Sequence, residues 1–208
     1  MIEVPIAVVI TQWVVLFSLG VLVLVVYRQL AFLLQMGRAA TADGGPDLGA
    51  KAPAFDYVRL GEDTHHRFEP GRAPAVLLFT DPGCGACDQA LAALNQARDL
   101  GRLDRLDGLR TLIVTGADPL AVAASNGLRE SSFETALVDH SVTHRDYHIT
   151  VTPLLIGIDS DGLVRRKAAG VTEVTLKSFL RDFRNSVQTQ RQANSTKSSP
   201  SPSAPPRR

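Results

Sequence analysis

The sequence predicts an α/β domain with a mixed central sheet flanked by helices, standing behind one N-terminal transmembrane helix. Three observations predict it. Short apolar runs alternate with helix-period segments between residues 50 and 187, the pattern of strand–helix–strand units with parallel pairing and right-handed crossovers. Two closing runs, 154–158 and 163–168, flank Asp159-Ser160-Asp161-Gly162, a hairpin signal that adds antiparallel strands and makes the sheet mixed. Residues 4–27 carry no charged side chain.

That last run is long enough to cross a hydrocarbon core of about 30 Å as a tilted helix. Tyr27 and Arg28 close it as an interfacial aromatic and a snorkelling cation do. Residues 4–34 are therefore read as a transmembrane anchor with a membrane-proximal helix, and Trp13 as a lipid or interface side chain. The rival is a cleaved signal peptide ending near Ala40-Thr41-Ala42. Signal peptides have a basic n-region and an apolar stretch of only about 7–15 residues, whereas Glu3 precedes this longer one. Residues 41–49, with Asp43-Gly44-Gly45-Pro46-Asp47, read as a flexible linker, 50–187 as one domain, and 188–208 as a disordered tail too polar to repay its ordering entropy.

Within the domain, 55–60 and the stretch around Phe68 form a hairpin about Gly61-Glu62-Asp63. Residues 75–80 are a buried central strand, and 84–100 a helix with Ala90, Leu91, Leu94 and Ala97 on one face. Residues 109–114 are a second buried strand. Asp118-Pro119 opens a helix to about 125, with Pro in the favoured first position. Residues 133–138 read as an edge strand, 141–148 as a short helix and 172–187 as the closing helix.

Twenty-two Lys and Arg stand against 21 Asp and Glu, a formal net charge of +1. That balance gives no electrostatic footprint for nucleic acid and favours a protein or small-molecule partner. The only two cysteines are Cys84 and Cys87, too close in sequence to staple a fold. They are either a redox pair or half of a metal site. Cys84 would begin a helix, where unsatisfied N–H groups and the helix dipole stabilise a thiolate. Cys87 would lie one turn inside, shielded, as a resolving thiol should be. Thus Cys84 attacks a partner disulfide and Cys87 releases the mixed disulfide, with no cofactor beyond the cysteines. His140, His144 and His148 repeat every four residues along one helical face; they read as solvated surface, as do His65 and His66.

Strand, Cys84-Gly85-Ala86-Cys87, helix, then Tyr147-x-Ile149-x-x-Thr152-Pro153 before a hairpin resembles the thioredoxin fold. Ile158-Asp159-Ser160-Asp161-Gly162-Leu163-Val164 and Gly49-Ala50-Lys51-Ala52-Pro53-Ala54-Phe55 resemble the membrane-anchored TlpA and ResA type. The single anchor, Arg28-Gln29 and Asp81-Pro82-Gly83-Cys84 look most like the MauD family of methylamine utilisation. The resemblance implies a thiol–disulfide oxidoreductase with Cys84 and Cys87 catalytic and a cis bond at Pro153. Thr152 and Pro153 would then bind substrate beside the cysteines. It implies partners that are protein thiols or disulfides, such as the methylamine dehydrogenase small subunit or a cytochrome under maturation. It also implies a single-pass membrane protein with its catalytic domain in the periplasm or otherwise outside the cytoplasm. The charge rule points the other way, because Arg28 and Arg38 follow the anchor. The sequence departs from thioredoxins proper in having Gly83 where they carry Trp. Leu78 stands at their buried acid, so a carboxylate relay from that position is absent, and the nearby Asp81 and Asp88 oppose thiolate formation. Many anchored relatives have Pro in the dipeptide that is Gly85-Ala86 here. A copper(I)- or thiol-binding chaperone remains the non-enzymatic alternative, since copper(I) accepts few soft ligands. A peroxidase of the same superfamily would resemble Pro-x-x-x-Thr-x-x-Cys; Thr80 here lies four residues before Cys84, and Val76 and Leu77 precede it without Pro.

Overall fold

A computed structural model describes residues 12–13, 15–23, 44–103, 108–116 and 118–197. Two compact units divide the chain, 1–40 and 41–208. In the first, the described residues of 12–23 are helical, and Trp13, Phe17, Leu22 and Val23 are exposed. The rest of the expected anchor lies outside the described residues. Among the described residues no helix is long and apolar enough to cross a membrane.

Among its described residues the second unit carries seven strands: β1 (Phe55–Arg59), β2 (His65–Phe68), β3 (Ala75–Phe79), β4 (Arg110–Thr115), β5 (Glu134–Leu137), β6 (Leu154–Ile158) and β7 (Val164–Ala169). They form one sheet in the order β2-β1-β5-β4-β3-β6-β7. Strands β3, β4 and β5 are mutually parallel. The two hairpins and the β1–β5 and β3–β6 pairings are antiparallel, so the sheet is mixed as the closing hairpin predicted. Helix α1 (Gly85–Asp99) connects β3 to β4; α2 (Pro119–Ala124) and α3 (Asn126–Arg129) connect β4 to β5; α4 (Glu173–Lys197) closes the chain.

Strand β3 is apolar throughout because it is buried on both faces. Ala75, Leu77 and Phe79 join one core with Tyr147, Leu154 and Ile156. Val76 and Leu78 join the other, with Leu91, Leu94, Leu155, Phe179 and Phe183. This second core lies under the helices, which contribute Val122 from α2 and Leu128 from α3. The first face is covered differently. Where a short helix was expected over 141–148, the chain makes a π-helical turn, Val142–Asp146, followed by Tyr147 and Ile149. Tyr147 is fully buried against Phe55 and Phe79, and its hydroxyl donates to the Pro53 carbonyl at 2.7 Å. Burial pushes its pKa well above the usual tyrosine value.

Four expectations are corrected. Strand β5 is interior: β1 returns from the hairpin to pair with it, Val58 opposite Leu137. The linker is docked from Gly44 onward. Gly45 N–H donates to the His148 carbonyl at 3.0 Å, and Lys167 Nζ donates to the carbonyls of Gly44 and Gly45 at 3.1 and 3.3 Å. A Cβ on Gly44 would stand 2.7 Å from Thr150 Oγ1; the glycine permits close packing there as much as flexibility. Residues 41–43 lie outside the described residues. The closing helix runs to Lys197 rather than ending at Val187, so 188–197 are helical where a disordered tail was expected. Extending a helix already anchored by Phe179, Phe183 and Val187 needs only propagation, one hydrogen bond per residue fixed. The remainder of that tail, 198–208, lies outside the described residues. Finally, His140, His144 and His148 do not share a helix face, because the π-turn intervenes and His148 takes a left-handed φ of 51°.

At the far end of the sheet from the cysteines, Glu134 accepts from the Tyr57 hydroxyl at 2.6 Å and from Arg59 at 3.0 Å, and pairs with Arg110 at 3.3 Å. Partial burial works to raise the Glu134 pKa, but these hydrogen bonds outweigh it and hold the carboxyl below its ordinary value. The folded state thus binds this proton less readily than the unfolded chain. The resulting stability is present above the unfolded value of about 4.3 and is lost as pH falls through the lower folded value. Glu134→Gln should therefore lower stability at pH 7 and flatten its decline below about pH 5, as read from denaturant midpoints across a pH series.

Candidate active site: a disulfide at a helix N-terminus

The turn that delivers the cysteines is built by Asp81-Pro82-Gly83-Cys84. Cys84 N–H donates to the Asp81 carbonyl at 3.4 Å. Pro stands at the second position and Gly83 has φ +76° at the third, the residues a type II turn requires. No atom would crowd a Cβ at Gly83, so the constraint there is backbone conformation rather than space.

Cys84 is the N-cap of α1, with φ −87° and ψ 101°. Its sulfur accepts from the Cys87 N–H at 3.2 Å, and its carbonyl accepts from the N–H groups of Cys87 and Asp88 at 2.8 and 3.2 Å. The two cysteines form a disulfide with Cα atoms 5.2 Å apart. Their environments differ sharply. Cys84 is half-buried and reachable, whereas Cys87 is 1% exposed among the apolar residues of α1. In the reduced state the donors aimed at Cys84 favour its thiolate.

Thr152 and Pro153 arrive at the same place because β6 is antiparallel to β3, with Leu154 opposite Phe79. The end of β3 and the start of β6 therefore coincide. The Thr152–Pro153 bond is cis, as the resemblance implied, and the Thr152 carbonyl oxygen lies 4.0 Å from Cys84 Sγ. All four anticipated residues are thus brought together. One contact was not foreseen: Thr152 Oγ1 donates to Asp81 Oδ2 at 3.1 Å, tying the turn before Cys84 to the loop before Pro153. Asp81 stood out in the sequence only as a charge, and no spacing rule links it to a residue 71 positions away.

The histidines play no part at the sulfurs. His140 and His144 stack on each other, ring centroids 4.1 Å apart, and His148 is exposed. Among the described residues no group of three or more His, Cys, Asp or Glu side chains converges as metal ligands do.

No family model matches the chain. Similarity to individual proteins is extensive. The methylamine utilisation protein MauD of Methylobacillus flagellatus is 24% identical over 187 residues, covering 83% of each chain. That of Methylophilus methylotrophus is 26% identical over 183 residues, covering 85% of this chain and 83% of the relative. The chain is thus similar to MauD proteins over most of its length. Among solved structures, a proposed protein disulfide isomerase from Bacteroides thetaiotaomicron superposes with TM-score 0.59 at 17% identity, over 70% of this chain and 94% of that one. A proposed thiol:disulfide interchange protein DsbE from Chlorobium tepidum gives 0.56 at 21%, over 68% and 98%. At such identities they establish the fold, which is thioredoxin-like. A chain of this fold, with a reachable cysteine capping a helix and a buried partner one turn inside, has the geometry of a thiol–disulfide oxidoreductase.

Proposed function

We propose that the chain is a membrane-anchored thiol–disulfide oxidoreductase that exchanges disulfides with exported protein partners, methylamine dehydrogenase or a cytochrome under maturation among them. The observation that carries the chemistry is the asymmetry of the pair: Cys84 at the helix cap within 4.0 Å of the Thr152 carbonyl, Cys87 buried. In the reducing direction the Cys84 thiolate attacks one partner sulfur, and the other partner sulfur leaves as a thiolate. Cys87 then attacks Cys84, restoring the Cys84–Cys87 disulfide and releasing the partner as a dithiol, two electrons richer. The reverse sequence oxidises a partner dithiol. The Thr152 backbone lies beside Cys84, where an extended partner segment can pair with it as an added strand.

The anchoring is supported by the uncharged run 4–27 and by the large apolar side chains that the helical residues of 12–23 expose, surface that water disfavours and lipid accepts. A catalytic domain outside the cytoplasm fits a compartment where disulfides persist.

Redox titration of the full-length protein, with thiols trapped by alkylation, should show Cys84 and Cys87 changing together. A two-electron couple changes its ratio tenfold per about 30 mV. Independent titration of the two cysteines would defeat the exchange reading. Stoichiometric copper(I) retention without turnover would favour the chaperone instead. Export is tested separately by a reporter fused to the C-terminus; activity confined to the cytosol would overturn that assignment.

A further inference from the structure

We propose that a basic groove at the end of α1 remote from the cysteines docks the domain onto the anionic headgroups of the bilayer that anchors the chain. This rests on the anchoring reading and adds an orientation to it. The groove, about 800 Å³, runs between the C-terminus of α1 and the first half of α4, and Leu100, Arg102, Val174, Lys177, Arg181 and Arg184 line it.

The charge of the groove has one sign. Lys177, Arg181 and Arg184 recur at i, i+4 and i+7 along α4 and so share one face, while Leu176, Phe179 and Phe183 turn another into the core. Among the described residues no carboxylate lines the groove. Arg102 reaches Glu173 at 3.6 Å and Arg181 reaches Asp182 at 3.2 Å, largely exposed pairs that hold weakly in water. Lys177 and Arg184 have no ion-pair or hydrogen-bond partner among the described residues, and Arg184 is half-buried. A guanidinium partly withdrawn from water with no anion beside it is a charge left open to one. Two large apolar side chains border the same cations: Leu100 is 53% exposed and Val174 78%. Basic and apolar groups side by side match the headgroup boundary of a membrane, which accepts both. A soluble anion would satisfy the cations alone.

The opposite end of the domain carries the complementary charge. Asp81, Asp118 and Asp139 stand just beyond the ends of β3, β4 and β5, and Asp88 lies in the first turn of α1. Arg145, near Asp139, is paired with Asp146 at 3.1 Å. The chain is close to neutral in sum, at +1, yet it gathers cations at one end of α1 and carboxylates at the other. An anionic surface attracts the first end and repels the second. The 15 residues of α1 separate them, about 22 Å at 1.5 Å per residue. Docking therefore holds Cys84 roughly that far from the headgroups, open to partners that arrive from solution.

The test places full-length protein in nanodiscs of phosphatidylcholine alone or of phosphatidylcholine mixed with phosphatidylglycerol. An amine-acylating reagent then labels the lysines, and Lys177 is scored against the exposed Lys51. Each basic side chain near an anionic surface favours contact about fivefold. Lys177 labelling should therefore slow by on the order of tenfold or more on the anionic discs at low salt, with Lys51 unchanged, and raised salt should restore it. Arg181→Gln together with Arg184→Gln should bring Lys177 labelling back toward its rate on neutral discs, whereas Arg181→Lys together with Arg184→Lys should leave the slowing in place. Equal labelling of Lys177 on both discs, or slowing that survives the paired glutamine change, would overturn the docking. Slowing on neutral discs by added glycerol phosphate would assign the groove to a soluble anion, and slowing that grows with the number of chains per disc would assign it to a second copy; either would overturn the lipid surface as its occupant. A chain that enters neither disc would instead overturn the anchoring, and the docking with it.

Discussion

Cys87→Ser protein should accumulate a covalent complex with its partner that reductant dissolves, while Cys84→Ser protein should form none. The expectation follows from what each sulfur can touch. Cys84 is open to a partner and receives the Cys87 N–H; Cys87 is 1% exposed within α1. Without Cys87 the first exchange still runs, but no internal thiolate is left to resolve it, so the mixed disulfide persists. Without Cys84 the nucleophile is a hydroxyl, and turnover should fall by on the order of 10⁴-fold or more, as covalent catalysts do when the attacking atom is removed. Alkylation of the reduced protein should label Cys84 first, with an apparent pKa below the free value of about 8.5. Complexes trapped by Cys84→Ser and not by Cys87→Ser would reverse the roles.

Phe183→Ala should be among the most destabilising single changes in the domain, costing about 3–5 kcal/mol. Phe183 is fully buried in the core beneath the helices and lies directly over Gly157 of β6. A Cβ on Gly157 would stand 2.7 Å from Phe183 Cδ2 and 3.1 Å from Phe179 Cζ. Gly157→Ala alone should therefore also destabilise, by roughly 1–3 kcal/mol through overpacking. The two changes act on the same space, one opening it and the other filling it. The double variant should accordingly be less destabilised than the sum, with a coupling of about 0.5–3 kcal/mol. Denaturant melts of the four proteins of the cycle measure this directly, and strict additivity would show that helix and glycine do not pack as described.

What the sequence revealed and what it hid follow from the range of the interactions involved. The turn, the helix N-terminus and the cysteine spacing are local, and local chemistry is written in adjacent residues. The cis Thr152–Pro153 bond was implied by resemblance and not by any physical rule that singles out that proline. Strand β5 looked like an edge because nothing near residues 134–137 announces that Val58, far earlier in the chain, will pair with Leu137. The glycines at 44 and 45 read as freedom, although their use is to let the chain lie close against Thr150 and Lys167. The three histidines looked collinear only because a period of 3.6 was assumed across a stretch that makes a π-turn and then a left-handed residue. Thr80 was noted in the sequence only for its spacing from Cys84; that its hydroxyl is buried without a partner among the described residues emerges only from the fold.

The pairing of β3 with β6, Phe79 opposite Leu154, acts as a ruler for the catalytic centre. Cys84 and Pro153 belong to distant parts of the chain, and this ladder brings them together. A slip of one residue would carry Pro153 about 3.3 Å along the strand and turn every β6 side chain to the opposite face. Leu154, Ile156 and Ile158 would leave one core and Gly157 would lose its place under Phe183. A misregistered molecule therefore forfeits its reactive centre and its packing at the same moment. In refolding mixtures, the fraction of chains able to complete exchange should equal the fraction correctly paired, making turnover a direct count of well-formed molecules.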